Sequence, residues 1–224
     1  MNDTKVLIAV PSMDYCATPF TMSLAMLTAK TMAKRTCNLQ LANISGSLIY
    51  EARDKLFAQA LQAECDYIMW FDSDMTFDDD TLERLLKTAE KYEADIVSGL
   101  YFRRSPPYTP VAFDSFEVVE EELGLVGHAV DYSGELSGVH EVGGVGFGCV
   151  LTSVDAAFDV FSKHNTCFAP INRVGEDLAF CWRARQLGYK VLLDADVKCG
   201  HVGHVIVKQQ LYESLEVKHD ESKG

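Results

Sequence analysis

Asp66-Tyr67-Ile68-Met69-Trp70-Phe71-Asp72-Ser73-Asp74-Met75-Thr76-Phe77 is the stretch on which the reading of this chain turns. The apolar run at residues 67–71 is too short for a helix and reads as a strand buried on both faces. Directly after it the chemistry changes: Asp72 and Asp74 stand two residues apart. Open α/β sheets bind ligands just outside the carboxyl ends of their strands. Two neighbouring carboxylates repel unless something positive lies between them, commonly a divalent cation shared with a phosphate. The alternative is a polar turn leading into the next helix, because Asp favours turns and N-caps. Asp80 and Glu83 already have capping-box spacing for that helix, so Asp72 and Asp74 are surplus to capping.

Working outward, residues 5–10 form an earlier buried strand, ended by the turn chemistry of Pro11-Ser12-Met13-Asp14. Residues 20–34 read as a helix and 39–44 as a second, alternating strand. Residues 49–63 are helical, with Ile49, Ala52, Leu56, Ala60 and Ala63 on one face. Arg53 sits on this helix, where periodicity alone makes it a surface cation paired one turn away. A helix over 80–91 and a strand over 94–100 complete a βαβαβαβ order, which implies a parallel sheet with right-handed crossovers. Residues 108–142 read as an antiparallel patch or loop-rich insertion. The glycines at 143, 144, 146 and 148 allow tight turns or close approach of a ligand. They lack the G-x-G-x-x-G spacing and enter a strand, so they are not a dinucleotide fingerprint. A short helix over 155–161 follows. Gly175-Glu176-Asp177 opens a longer helix that ends at Gly188, and its acids suit the helix dipole. A last strand covers 190–193, followed by His201 and His204, whose spacing suggests a metal ligand. The tail from about 208 to 224 reads as helical or frayed.

Composition bounds the function. The length of 224 residues and 48% apolar content predict one soluble domain spanning 1–224. With 20 Lys and Arg against 33 Asp and Glu, the net charge is −13. That disfavours nucleic acid and anionic membranes as partners. An anionic substrate would need a metal ion or a few placed arginines to invert the local field. The seven cysteines are scattered without any C-x-x-C, which predicts reduced thiols in a cytoplasmic protein. No stretch is long and apolar enough to predict a transmembrane segment or a signal sequence.

Taken together over about 4–204, the sequence resembles the GT-A fold of nucleotide-sugar glycosyltransferases, closest to the family-2 type. Six segments carry the resemblance in order: the first strand with Pro11-Ser12, Ala52-Arg53-Asp54 (like an A-R-N segment), Asp72-Ser73-Asp74 (like a DxD motif), the glycine-rich segment from Gly144 to Leu151, Gly175-Glu176-Asp177, and His201-Val202-Gly203. The resemblance implies an α/β GT-A fold: a mostly parallel central sheet, Rossmann-like, with flanking helices and a small antiparallel patch. It also implies a hexosyltransferase-like enzyme that moves one sugar from a nucleotide-diphosphate sugar, of UDP or GDP type, to a saccharide or other hydroxyl acceptor. Mn²⁺ or Mg²⁺ would be held by Asp72, Asp74 and His201, with His204 competing for the ligand role. Pro11, Ser12, Arg53, Asp72, Ser73, Gly144 and Gly146 would touch substrate. Arg53 would hold the nucleobase or diphosphate edge. Glu176 and Asp177 would form the catalytic pair, with Asp177 as general base if the reaction inverts the anomeric centre. Residues 101–110 and 164–175 would flank the site as lids. Asp54 departs from the Asn of the pattern, and the absence of Q-x-x-R-W argues against a processive synthase. A sugar nucleotidyltransferase and a non-catalytic sugar- or nucleotide-binding module are the competing readings. The first is disfavoured because residues 11–20 contain neither glycine nor lysine for a phosphate loop.

Overall fold

The computed structural model describes residues 3–119, 124–129, 136–172 and 174–203. The expectation for the 208–224 tail and the candidacy of His204 lie outside these residues.

The centre of the molecule is the strand β3 (Tyr67–Phe71). Ile68 and Trp70 pack into one apolar cluster, Met69 and Phe71 into another on the opposite face of the sheet. This is the period of two expected of a strand covered on both sides. Before it come β1 (Lys5–Ser12), helix α1 (Thr18–Lys34), β2 (Asn38–Ser45) and helix α2 (Ile49–Gln62). After it come β4 (Met75–Thr76), α3 (Thr81–Tyr92), β5 (Ile96–Leu100), β6 (Ala112–Val119), β7 (Gly124–Ala129), β8 (Val139–Val142), β9 (Gly144–Val145) and β10 (Cys149–Ser153). Helices α4 (Val154–His164) and α5 (Glu176–Gln186), then β11 (Val191–Lys198) and β12 (Gly200–His201), close the described chain.

The main sheet has the order β2-β1-β3-β10-β5-β11-β8. Strands β2, β1, β3, β5 and β11 run one way, and β10 and β8 run the other. The sheet is therefore mostly parallel, as expected, but β5 does not lie beside β3. β10 is inserted between them, antiparallel to both. The physical reason is the route of the chain. Beyond β5, among the described residues, no crossover helix returns it to the opposite end of the sheet before β10. A strand re-entering from the carboxyl end must run antiparallel, which needs no crossover. The antiparallel patch expected over 108–142 exists as the sheet β7-β6-β9, with β8 on the edge of the main sheet.

Two local expectations need correction, and one element was unforeseen. Asp80 is the N-cap residue of α3, but its side chain makes no capping hydrogen bond. Lys30 lies 3.9 Å from it, and Glu83 is bonded to Lys34 and Lys87, so ion pairs have replaced the capping box. β11 runs to Lys198, well past residue 193, because the polar Asp194 is accommodated inside it. Its carboxylate accepts from Thr88 Oγ1 at 2.6 Å and from the Asp196 N–H at 3.1 Å. The ribbon β4–β12 carried no periodic signal, yet it pairs Gly200 with Thr76 and His201 with Met75.

Candidate active site

The carboxyl end of β3 is fixed by backbone hydrogen bonds from several directions. The Asp72 N–H donates to Gly148 O at 3.2 Å, and the Met75 N–H closes the turn on Asp72 O at 3.2 Å. Ser73 O accepts from Ala17 N at 2.9 Å, and Asp74 O accepts from Val202 N at 2.8 Å. Three separate segments thus clamp the Asp72-Ser73-Asp74 turn, which leaves its side chains to face a cleft of about 590 Å³. Pro11, Ser12, Asp72, Ser73 and Asp74 all line this cleft. So do Gly46 and Ser47 from the β2–α2 loop, which sequence reasoning treated only as a break in pattern. Their proximity follows from β2 lying beside β1, so that both carboxyl ends open on one crevice.

The two aspartates have different cation partners. Arg53 Nη2 donates to Asp72 Oδ1 at 2.8 Å. Arg53 Nε reaches Glu176 Oε1 at 3.4 Å. Arg53 is 1% exposed and its guanidinium lies over the rings of Phe147 and Trp70, at 5.2 and 5.7 Å. It is neither a surface cation nor a lining residue of the clefts described here. The substrate contact expected of it gives way to a buried strut joining the end of β3 to the start of α5. Its Nη1 has no hydrogen-bond partner among the described residues, a cost that the two carboxylates and two aromatic faces offset. Glu176 is turned toward this strut rather than toward either cleft.

Asp74 Oδ2 receives Arg104 Nη1 in a close ion pair and lies 3.4 Å from His201 Nε2. His201 is oriented by its other nitrogen, Nδ1, 3.0 Å from Phe102 O. Burial raises the Asp74 proton affinity, but the His201 hydrogen bond and charge, with Arg104, more than offset it and hold the carboxyl below its usual value. Conversely, the hydrogen bond to Asp74 raises the His201 pKa against the effect of burial.

A second cleft, of about 350 Å³, adjoins the first. Arg104 and His201 line both, forming the wall between them. Asp177 opens on the second cleft only. Its Oδ1 accepts from Leu178 N at 2.7 Å. Burial, then the charge of Glu176, push its pKa up to about 6, with Asp72 adding and Arg53 and the Leu178 N–H opposing. A carboxylate of that basicity is ionised at neutral pH and suited to accept a proton.

The glycine-rich segment does something other than approach a ligand. Gly144 and Gly146 are buried and line neither cleft. A Cβ on Gly144 would stand 2.7 Å from Phe116 Cζ, and one on Gly146 would collide with the Tyr101 hydroxyl. At Gly148 it would stand 2.8 Å from Tyr101 Cζ. The expected substrate contacts of Gly144 and Gly146 are thus corrected to a packing role. The glycines let buried Tyr101 lie against the chain, where its hydroxyl accepts from Gly148 N at 3.1 Å. Asp54 is also structural. It accepts from Cys167 N, Phe168 N and Thr166 Oγ1, each at 3.2 Å, and pins one of the two flanking segments. The other, residues 101–110, is tied at its root by Arg103 N to Thr109 O at 2.9 Å and Val111 N to Tyr101 O at 3.0 Å.

Among the described residues no three His, Cys, Asp or Glu side chains gather as a ready metal shell. Asp72 of the expected trio is turned to Arg53. The remaining pair would serve as a partial shell once Arg104, which is ion-paired to the same Asp74 oxygen, gives way. Two ligands about 2.1 Å from one octahedral ion stand about 3 Å apart in cis positions, close to the 3.4 Å between Asp74 Oδ2 and His201 Nε2. A hard ion at such a site takes its other ligands from water and substrate phosphate.

The sheet order, the acidic turn after β3 and the paired clefts define the class: this is a GT-A-type α/β fold. Residues 49–126 match the model of glycosyl transferase family 2. The matched stretch, 78 of the 224 residues, spans Arg53, the Asp72-Ser73-Asp74 turn and Arg104. Among solved structures, the crystal structure of A197 from STIV superposes with a TM-score of 0.58 at 14% identity, covering 92% of this chain and 97% of that one. At that identity the likeness concerns the fold alone. No curated protein matches the chain. No helix among the described residues is long and apolar enough to cross a membrane.

Proposed function

We propose that this chain moves a single sugar from a nucleotide-diphosphate sugar, of UDP or GDP type, to a hydroxyl acceptor, with Mn²⁺ or Mg²⁺ at Asp74 and His201. The observation that carries the reading is the junction. A crevice at the carboxyl ends of β1, β2 and β3 shares the Arg104–His201 wall with a second cleft that holds a basic carboxylate. The donor nucleotide lies in the first cleft, against Pro11, Ser12 and the Gly46-Ser47 loop. The acceptor lies in the second. Asp74 and His201 would hold a divalent ion, which would supply Lewis-acid stabilisation of the departing diphosphate. Asp72, held by Arg53, orients the donor. Asp177 Oδ2 takes the proton of the acceptor hydroxyl as its oxygen bonds to the anomeric carbon. The bond from that carbon to the diphosphate oxygen breaks, and the diphosphate leaves with the electron pair. Attack from the second cleft, opposite the leaving group, inverts the centre.

The test is thermal stabilisation by UDP, GDP, CMP and dTDP, each with Mn²⁺, Mg²⁺ or EDTA. One diphosphate that raises Tm with metal and not with EDTA is the expected result, followed by transfer from the matching sugar nucleotide. Pyrophosphate release from a nucleoside triphosphate and a sugar phosphate would move the reading to a nucleotidyltransferase. Nucleotide binding without turnover of any donor would leave a binding module.

A further inference from the structure

The second cleft is cationic in a chain of net charge −13. Arg103 and Arg104, the only adjacent arginines in the sequence, both line it with His201, and the carboxylate on its wall is Asp177. The two arginines are not equivalent. Arg104 is committed to Asp74 and belongs to both clefts. Arg103 lines only the second. It is exposed, and its backbone N–H is tied to Thr109 O at 2.9 Å, which holds the residue in place at the root of the 101–110 segment. Among the described residues its guanidinium makes no ion pair, whereas Arg53 and Arg104 each face a carboxylate. The rest of the wall includes the apolar Val111, Phe113 and Leu178.

A guanidinium on such a wall loses water when a ligand fills the cleft, and a neutral ligand returns hydrogen bonds but no opposite charge. Its planar fork matches a phosphate or carboxylate. The net charge adds discrimination, since an anion is repelled by most of the surface and attracted at this point. We propose that the acceptor is anionic: the molecule that offers the attacking hydroxyl also carries a phosphate monoester or a carboxylate, and Arg103 binds it. The proposal rests on reading the second cleft as the acceptor site of a glycosyltransferase. It assigns Arg103 to acceptor choice and leaves the donor cleft untouched.

Calorimetric titration of glucose, glucose 6-phosphate and glucuronate tests it, with and without the nucleoside diphosphate found in the donor screen. Wild type is expected to bind one charged sugar about tenfold or more tightly than glucose. Whether the phosphate or the carboxylate sugar wins identifies the anion. Arg103→Gln removes that preference and keeps nucleoside-diphosphate affinity within about twofold, because Arg103 does not line the donor cleft. Equal affinity for the three sugars, no measurable binding of any, or a preference that survives Arg103→Gln overturns the proposal. Failure of every nucleoside diphosphate to bind would instead remove the glycosyltransferase reading, and the two failures are scored in separate titrations.

Discussion

Asp74 and Asp177 are the same side chain in two neighbouring clefts, and their surroundings push them in opposite directions. Asp74 has Arg104 and His201 against its oxygen, and its proton affinity falls below the ordinary value. Asp177 has Glu176 as its neighbour in the chain, and Arg53 is committed elsewhere, so burial wins and its pKa rises to about 6. Burial raises the proton affinity of both; at Asp74 the neighbouring cations override it, and at Asp177 the Glu176 charge adds to it. One aspartate stays an anion near its cations, and the other gains a proton affinity closer to that of a neutral-pH base.

The largest effect is expected at the first cleft. Asp74→Ala should reduce sugar transfer to background and weaken nucleoside-diphosphate binding in the presence of Mn²⁺. Transfer within tenfold of wild type would break the comparison at its stronger end. Asp177→Asn should lower kcat by about 10²–10⁴-fold with donor affinity kept, since it removes the proton acceptor alone. The wild-type rate should fall as pH drops through about 6, and the variant should lose that limb. A wild-type profile flat from pH 5 to 8 would mean that Asp177 is not the base.

Arg53→Ala sharpens the contrast from beneath. It leaves Asp72 and Glu176 without their shared cation and should cost on the order of 3–5 kcal/mol in urea unfolding. In surviving folded protein the acid limb should move to higher pH, because Arg53 lowers the Asp177 pKa. A limb that stays in place would assign the raised basicity to burial alone.

The smallest expected effect is thermal and has opposite signs at the two aspartates. Folded Asp177 holds its proton up to about 6, against an ordinary value of 3.8. Its contribution to stability is therefore full below 3.8 and lost as pH rises through 6. Asp177→Asn should raise Tm by about 2–4 °C at pH 8 and not at pH 4. Asp74 has a lowered pKa, so its contribution is present above the ordinary value of 3.8 and lost as pH falls below it. Asp74→Asn should lower Tm at pH 7 and converge with wild type in acid. Parallel pH dependences in the two variants would contradict the assigned environments.

Much of this contrast was legible in the sequence. The run Tyr67–Phe71 followed by two surplus aspartates marked the strand end, and Glu176-Asp177 marked the start of α5. What periodicity missed was contact between distant segments. Arg53 reads as a solvent-facing helix residue until α5 brings Glu176 to it from 123 positions away. The glycines read as ligand-facing until Tyr101 is seen against Gly146 and Gly148. Arg103 and Arg104 carried a signal, an adjacent cationic pair in an acidic chain, but nothing local said which cleft each would face.

By itself, the sequence determined the strand and helix order, the buried centre at β3 and the acidic turn after it, because these depend on local apolar patterning and turn chemistry. Only the tertiary structure decided the antiparallel insertion of β10 and the β4–β12 ribbon that sets His201 against Asp74. It also decided which aspartate gained a cation and which did not. The reason is physical: strand order and proton affinity depend on which groups lie within a few ångströms, and folding sets those distances between residues that separation along the chain does not relate.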